Sequence, residues 1–208
     1  MKGYQELNNY VHDFSLAFRE GHIYMTLLEE NLQYLQPPVL HIGCNAGSTT
    51  ALIGEYVDGP IVGYDINEEA IRKASQQFKK KEIEFRHGNL LSLLDDFAYG
   101  SFNTVVAFDV LEHIYPHEIG VVMENLRCVL GLPGYLLLFL PRCGYDTISL
   151  DTAYDDAHLM HFFNAMSVRS IVEPYGFKVV SLRQEKRANP DQSIAPGSHD
   201  SWFCVVKR

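Results

Sequence analysis

The stretch VLHIGCNAGSTTALIG, residues 39–54, joins an apolar run, a glycine-containing turn and a segment of helical character. Gly43 and Gly47 would let the backbone of this turn come close to a ligand, and the following helix would direct its N-terminal amides toward it. A dinucleotide-binding fingerprint started at Gly43 would need glycine at positions 45 and 48, where the chain has Asn45 and Ser48. The turn therefore indicates a nucleotide-like cofactor, and a tight turn without a ligand is the alternative.

Asp65 ends the next apolar run, about 20 residues after the glycine turn. A carboxylate at this place can accept one ribose hydroxyl on each of its oxygens. The alternative role, stabilising the first turn of a helix, is already filled by Asn67 and Glu68. Asp65 therefore favours a cofactor that carries a ribose.

Strands and helices alternate after residue 38, which brings these residues to the carboxyl ends of neighbouring strands. We predict strands at 39–42, 61–66, 83–88, 102–108 and 134–141, and two closing strands within 176–184 and 201–208. We predict helices at about 48–56, near 117–130 and around 168–175. A further helix is predicted to begin after Asn67 and to carry Lys79 to Lys81 in its last turn. The fold class is α/β: a doubly wound, mostly parallel seven-stranded sheet with an antiparallel C-terminal hairpin.

An N-terminal helical extension precedes the sheet. Met25, Leu28, Leu32 and Leu35 recur at helical spacing, and Pro37-Pro38 ends the segment. We therefore expect residues 1–36 to form a helical lid or extension and residues 37–208 to form a Rossmann-like domain.

The composition limits the classes of partner. Seventeen basic and twenty-six acidic residues give a net charge of −9, which disfavours a nucleic-acid partner. No apolar run approaches the roughly 20 residues that span a bilayer, and no secretory signal is recognisable. The four cysteines form no C-x-x-C pair, and no metal site is predicted. We expect a cytoplasmic protein, either a monomer or a homodimer.

Five segments in order resemble the motifs of class I S-adenosylmethionine-dependent methyltransferases that act on small molecules. HIGCNAG stands where that family has an acid-x-Gly-x-Gly-x-Gly loop, and GYDIN resembles its ribose-binding segment. GNLLSL is similar to the adenine-contacting segment, FNTVVAFDVLEHI to the fourth-strand motif, and LGLPGYLLLFLP to the fifth-strand motif. The resemblance covers residues 38 to 182 and implies a transfer of the methyl group of S-adenosylmethionine, with S-adenosylhomocysteine as product.

The resemblance also implies cofactor-binding roles for individual residues. Asp65 would hold the ribose, Ile66 would lie against the adenine, and Asp109 would face the methionyl end of the cofactor. Asn89 would bond the adenine edge through its side chain and Leu90 through its backbone amide. The loop itself would contribute His41, Gly43, Cys44, Asn45 and Gly47.

Two residues of the loop depart from the family pattern. His41 stands in place of the first acid, and Asn45 in place of the middle glycine. Asparagine tolerates a left-handed backbone better than most residues, so the turn can form with Asn45, although with less room. We expect the two departures to tune the cofactor site and not to abolish it.

A histidine is the natural base for the acceptor, because its pKa lies near neutrality. His113 follows the fourth strand in DVLEHI, and His161 precedes the last predicted helix in DAHLMHF. We predict His113 first and His161 second as catalytic bases; a helix-capping or packing role is the alternative for each. Residues of the N-terminal segment could form a lid, and others beyond the fifth strand could shape the acceptor pocket: Tyr10, Phe14 and Phe18; Tyr145, Tyr154 and Phe162.

Three other functions compete with methylation of an O, N or C centre of a small molecule. The His41 and Asn45 departures favour a methyltransferase-like binding or scaffold protein whose loop no longer serves catalysis. The glycine spacing disfavours a nicotinamide-dependent oxidoreductase. The acidic charge balance weakens RNA methylation.

Overall fold

A computed structural model describes residues 23–141, 164–186 and 200–208 of the chain. The described residues form seven strands: β1 (Val39–Ile42), β2 (Ile61–Asp65), β3 (Ile83–His87), β4 (Phe102–Phe108), β5 (Leu130–Pro141), β6 (Lys178–Lys186) and β7 (Asp200–Lys207). They make one sheet in the order β3-β2-β1-β4-β5-β7-β6. The first five strands are parallel, and β7 pairs antiparallel with both β5 and β6. The predicted mostly parallel sheet with an antiparallel C-terminal hairpin is confirmed.

Helices connect the parallel strands. Those within the described ranges are α1 (Ser48–Tyr56), α2 (Glu68–Gln77), α3 (Leu93–Asp96), α4 (Ile119–Val129) and α5 (Ala165–Val172), and residues 23–29 are also helical. Asn67 caps α2 as predicted, because its side-chain oxygen accepts the N–H of Ala70 across 3.1 Å. Lys79 to Lys81 lie beyond the end of α2 and not in its last turn, so that part of the prediction is wrong.

Two buried clusters cover the two faces of the sheet. On one face, α4 and α5 pack Val122, Leu126 and Val168 against strand residues such as Leu138. On the other face, α1 and residues 23–35 pack against a second set of strand residues that includes Phe108, Phe139 and Phe203. Side chains of the central strands alternate between the two clusters, as expected for strands covered on both faces.

The helical segment 23–29 belongs to the second of these clusters. Its buried side chains are Tyr24, Leu27 and Leu28, while Met25 is only partly buried and Leu32 is 44% exposed. In the predicted stripe, Leu28 and Leu35 are buried as expected, whereas the prediction is wrong for Met25 and Leu32. The exposure of Leu32 has a local reason: the helix ends at residue 29, and a turn and a short 3-10 helix, Leu32–Tyr34, break the regular helical spacing.

Several element boundaries differ from the sequence-based predictions by one to four residues. Strands β2 and β3 each end one residue earlier than predicted, and α4 ends at Val129 because Leu130 already begins β5. An apolar residue such as Leu130 is buried in either conformation, so periodicity alone does not place this boundary. No helix within the described ranges is long and apolar enough to cross a bilayer.

Candidate functional site

The strand order places the glycine turn at the switch point of the sheet. Strand β1 lies between β2 and β4, so the chain leaves it on one side for β2 and returns on the other side at β4. Ligands of open α/β sheets bind in the crevice outside the carboxyl ends of the strands at such a point. The residues after β1, β2, β3 and β4 are therefore the candidate site.

The turn between β1 and α1 uses three left-handed residues. The φ angles of Gly43, Asn45 and Gly47 are 68°, 46° and 89°. Asparagine is one of the few residues other than glycine that adopts this conformation readily, so the second departure from the family pattern fits the turn. The Gly43 N–H donates to the Tyr64 carbonyl oxygen across 2.8 Å, which ties the turn to the end of β2.

The two glycines of the turn face protein on the side where a Cβ would stand. A Cβ on Gly43 would lie 2.3 Å from Cγ2 of Val110, and one on Gly47 would lie 2.8 Å from Cζ of Phe85. Glycine is thus required at both positions by packing as well as by φ. Their predicted approach to a ligand stays a prediction.

Asp65 connects the turn to the start of α2. One carboxylate oxygen accepts the N–H of Asn45 across 2.8 Å, and the other accepts the N–H of Asn67, also across 2.8 Å. Burial raises the pKa of the Asp65 carboxyl above its ordinary value, and the two backbone N–H groups oppose that shift in part. A carboxylate offers about four acceptor positions, so hydroxyl donors can still bind beside the two amides.

The residues predicted for an adenine lie at the ends of β2 and β3. Ile66 follows Asp65 and exposes 46% of its surface, which is unusual for an isoleucine. Asn89 is exposed, and its side-chain oxygen accepts the N–H of Leu91 across 2.9 Å. Leu90 is partly buried and packs against the core. The turn after β3 is therefore shaped by Asn89 itself, and the adenine contacts of these three residues stay predictions.

Asn125 of α4 supports that turn and was missed by the sequence analysis. Its side-chain NH₂ donates to the carbonyl oxygens of Leu90, at 2.8 Å, and Leu91, at 3.1 Å, and the residue is only 8% exposed. A signal for it exists in the sequence, because this asparagine follows Val122 by three residues within the apolar stripe of the helix.

His41 is buried within β1, the strand that precedes the turn. It is 2% exposed, and its Nδ1 makes a 2.8 Å hydrogen bond with the hydroxyl of Thr50 in α1. Burial lowers the pKa of His41 to about 3, so the imidazole is neutral at neutral pH. Cys44 is also buried, and burial raises the pKa of its thiol, which leaves it in the unreactive protonated form. A cofactor contact of either side chain stays a prediction.

The end of β4 carries Asp109 and His113. Asp109 adopts a left-handed φ of 51°, and its carboxylate accepts a hydrogen bond from the hydroxyl of Tyr24. The short helix Leu111–His113 follows, in which Glu112 is buried and His113 is half-buried. Tyr24 was not predicted as a site residue.

Several predicted residues lie outside the described ranges. They are the second candidate base, His161, the lid residues Tyr10, Phe14 and Phe18, and the pocket residues Tyr145, Tyr154 and Phe162. In the described part of the chain, no three His, Cys, Asp or Glu side chains are grouped so that they could hold a metal ion.

A cavity of about 270 Å³ lies at the opposite edge of the sheet, by the end of α1 and the start of β2. It is lined by Lys80, Glu55, Asp58 and apolar neighbours, and Nζ of Lys80 donates to the Gly54 carbonyl oxygen across 2.5 Å. None of the candidate site residues lines it. The cavity is therefore separate from the crevice at the carboxyl ends.

Comparisons with known proteins agree with this architecture. Residues 39–134 match a family model described as "Methyltransferase domain". None of the curated proteins compared with the sequence matches it. A solved S-adenosylmethionine-dependent methyltransferase from Methanosarcina mazei is 19% identical with a TM-score of 0.67, over 85% of this chain and 95% of its own. One from Archaeoglobus fulgidus is 17% identical with a TM-score of 0.66, over 94% and 100%.

A third solved structure contains ligands. It is the 1,6-didemethyltoxoflavin-N1-methyltransferase of Burkholderia thailandensis with bound 1,6-didemethyltoxoflavin and S-adenosylhomocysteine. It is 14% identical with a TM-score of 0.66, over 89% of this chain and 76% of its own. At these identities the likeness shows the fold. Together with the domain match, it confirms the resemblance drawn from the sequence motifs.

Proposed function

We propose that the chain methylates an O, N or C centre of a small molecule, because its fold is that of S-adenosylmethionine-dependent methyltransferases and residues 39–134 match a methyltransferase family model. S-adenosylmethionine is the proposed cofactor. When bound, it supplies a methyl group that its sulfonium sulfur activates for in-line displacement.

The observation that carries the proposal is the hydrogen bond between Asp65 and Asn45. It joins a carboxylate suited to ribose hydroxyls with the glycine turn of the neighbouring strand, in the crevice where α/β folds bind ligands. The same carboxylate ties the turn to the start of α2, and it keeps acceptor positions beyond those two backbone bonds. Burial raises the pKa of this carboxyl above its ordinary value, and perturbed pKa values are common at functional sites.

The residues around this bond fit a nucleoside. Asp65 has acceptor positions left for two hydroxyls, and the exposed side chain of Ile66 offers an apolar surface for a base. The exposed Asn89 presents an amide at the end of the next strand. In the proposal, Asp65 binds the ribose, Ile66 and Asn89 hold the adenine, and Asp109 faces the methionyl end.

His113 is the proposed base. It lies four residues after Asp109, on the short helix that begins at Leu111, and it is half-buried at the carboxyl end of β4. A histidine there can take a proton from an acceptor hydroxyl or amine as the methyl group is transferred. The Burkholderia enzyme, which has the same fold, is solved with bound 1,6-didemethyltoxoflavin and S-adenosylhomocysteine, and this supports a small-molecule acceptor.

Isothermal titration calorimetry tests the cofactor assignment. We expect S-adenosylmethionine and S-adenosylhomocysteine to bind the wild-type protein, and Asp65→Ala to weaken both at least tenfold, because hydrogen bonds to a charged group are strong. The matched control is Glu69→Ala, which removes an exposed acid that is paired with Arg72 on α2. It should bind both ligands like the wild type.

Two outcomes would contradict the proposal. An absence of binding at millimolar ligand would favour a scaffold protein with an altered loop. Protection of the fold against heat by NAD, with none by S-adenosylmethionine, would favour an oxidoreductase.

A further inference from the structure

Asp109 lies beside the glycine turn in a conformation that few residues adopt. It directly follows β4 with a φ of 51°, and its N–H donates to the Phe139 carbonyl oxygen of β5 across 2.9 Å. The next residue, Val110, fills the space beside Gly43 where a Cβ would stand. Asp109 therefore belongs to the same crevice as the glycine turn.

Tyr24 reaches this carboxylate from the helical segment 23–29, which is 85 residues away in sequence. Tyr24 is 8% exposed, and its ring packs against two aromatic rings of the sheet. The ring centroids lie 5.1 Å from that of Phe108 and 5.7 Å from that of Phe139, the second in an edge-on arrangement. This packing fixes the position of the phenol oxygen, which donates to Oδ2 of Asp109.

We propose that Tyr24 is a positioning residue of the cofactor site, whose hydroxyl orients the Asp109 carboxylate and couples the docking of residues 23–29 to cofactor binding. The inference rests on the proposed function, because the cofactor role of Asp109 belongs to it. Tyr24 acts through Asp109 and needs no contact of its own with the ligand.

Packing alone does not explain the hydroxyl. The cluster around the ring is apolar and includes Leu28, Phe139 and Phe203, so phenylalanine would fill the same space. A buried hydroxyl costs free energy unless it is hydrogen-bonded, and a bond to a carboxylate is about twice as strong as a neutral one. The hydrogen bond to Asp109 therefore explains why residue 24 carries a hydroxyl.

The coupling follows from the two ends of the hydrogen bond. When segment 23–29 is docked, the Asp109 carboxylate is held in one direction. When the segment lifts away, the carboxylate loses this donor and its direction is no longer set from that side. Cofactor binding should favour the docked segment to the same extent that docking favours the cofactor.

The first test compares the affinity of the full-length protein for S-adenosylhomocysteine with that of Tyr24→Phe, which removes only the hydroxyl. We expect about a tenfold loss, the size typical of a hydrogen bond to a charged group. The matched control is Tyr34→Phe, which removes the hydroxyl of another tyrosine of the N-terminal residues, one that packs on Tyr135. Its affinity should be unchanged.

A double-mutant cycle separates positioning from a merely structural effect. Asp109→Gly removes the carboxylate while keeping a residue that accepts a positive φ. If Tyr24 acts through Asp109, Tyr24→Phe should cause no further loss of affinity in the Asp109→Gly background. Equal losses in both backgrounds would overturn the inference, as would wild-type affinity in Tyr24→Phe.

The proposed function and this inference fail in different ways. An absence of ligand binding to the wild-type protein overturns both, whereas normal binding that Tyr24→Phe leaves unchanged overturns only the inference. If Tyr24→Phe does not fold, hydrogen exchange in the wild-type protein decides. Saturating S-adenosylhomocysteine should then slow exchange in residues 23–29, and unchanged exchange there would overturn the coupling.

Discussion

The carboxylate of Asp65 at the end of β2 accepts the backbone N–H of Asn45, 20 residues earlier, across 2.8 Å. The bond makes one unit of two features that stand apart in the sequence, the glycine turn and the acid of the next strand. It also gives Asn45 a role that its side chain does not reveal, because the bond is made by the backbone of a left-handed residue.

The raised pKa of Asp65 predicts an acid-sensitive cofactor site. Protonation removes acceptor capacity from the carboxyl, so affinity for S-adenosylhomocysteine should fall as pH drops through the raised pKa, above the ordinary value of 3.8. The contribution to folding has the opposite sign. A carboxyl whose pKa is raised by folding stabilises the protein most below 3.8, and this contribution is lost as pH rises through the raised value.

Calorimetric titrations between about pH 8 and about pH 4 check this prediction. Asp65→Asn should bind weakly with a flatter pH dependence, and Glu69→Gln should follow the wild type, including any titration of the ligand itself. A pH dependence that is the same in Asp65→Asn and the wild type would show that another group is responsible.

His41 should contribute a stability that is lost in acid. Its pKa is lowered by burial from 6.5 to about 3, so the folded protein excludes a proton that the unfolded chain binds. The contribution is complete above pH 6.5 and is lost as pH falls toward 3, by about 1.4 kcal/mol for each pH unit.

Urea unfolding at a series of pH values measures this slope. His41→Gln, which can still bond to Thr50 but does not titrate, should lose the His41 part of the slope. His117→Gln changes an exposed histidine stacked on Tyr115 and should keep it. Equal slopes for all three proteins would mean that His41 is not buried as described.

Gly43→Ala should destabilise the fold strongly. An alanine there adopts a left-handed φ of 68° and places its Cβ 2.3 Å from Cγ2 of Val110, so we expect a loss of roughly 2–5 kcal/mol in the free energy of unfolding. Adding Val110→Ala should recover the part of the loss that is due to the clash with Val110, and the part that is due to the left-handed backbone should remain.

Gly120→Ala is the matched control for that substitution. Gly120 lies in α4 without a positive φ, and its nearest neighbour is the flexible end of Tyr175 at 3.0 Å. Its unfolding free energy should change by less than about 1 kcal/mol, because alanine favours a helix. If Gly120→Ala lowers the free energy of unfolding as much as Gly43→Ala does, the cost at Gly43 is not specific to the turn.

His113→Gln separates catalysis from cofactor binding. If His113 is the base, transfer of a labelled methyl group to an accepted small molecule should fall by about 10²–10⁴-fold, with affinity for S-adenosylhomocysteine within about twofold of wild type. His117→Gln, four residues later and exposed, should transfer at the wild-type rate. If the affinity for S-adenosylhomocysteine falls as much as the transfer rate, His113 has a structural role and is not the base.

Local sequence patterns predicted most of the fold for identifiable reasons. The 39–42 and 102–108 strands and the 48–56 helix have the predicted bounds, since each is an apolar or periodic run closed by turn residues or a cap. The Asn67 cap is a contact between residues three apart, which sequence shows directly. Where one buried element follows another directly, as at Val129 and Leu130, the apolar pattern is the same on both sides, so the boundary could not be predicted.

The positions of the candidate site residues at strand ends were predicted, but their contacts were not. The sequence located Gly43, Asp65 and Asp109 at strand ends, because the alternation of elements brings those ends to one edge of a parallel sheet. It did not predict the partners of these residues. The bond of Asn125 to the turn after β3 and that of Tyr24 to Asp109 join elements that are 34 to 85 residues apart.

Residue types and their spacing were enough to predict the class of fold and to place the candidate residues at the carboxyl ends of strands, because periodicity and caps act over a few residues. The packing of the folded chain, by contrast, makes His41 a buried neutral partner of Thr50 and turns Tyr24, and not Met25, toward the sheet. Side-chain burial depends on how helices pack across distant strands, and that packing sets which polar groups meet and which pKa values shift.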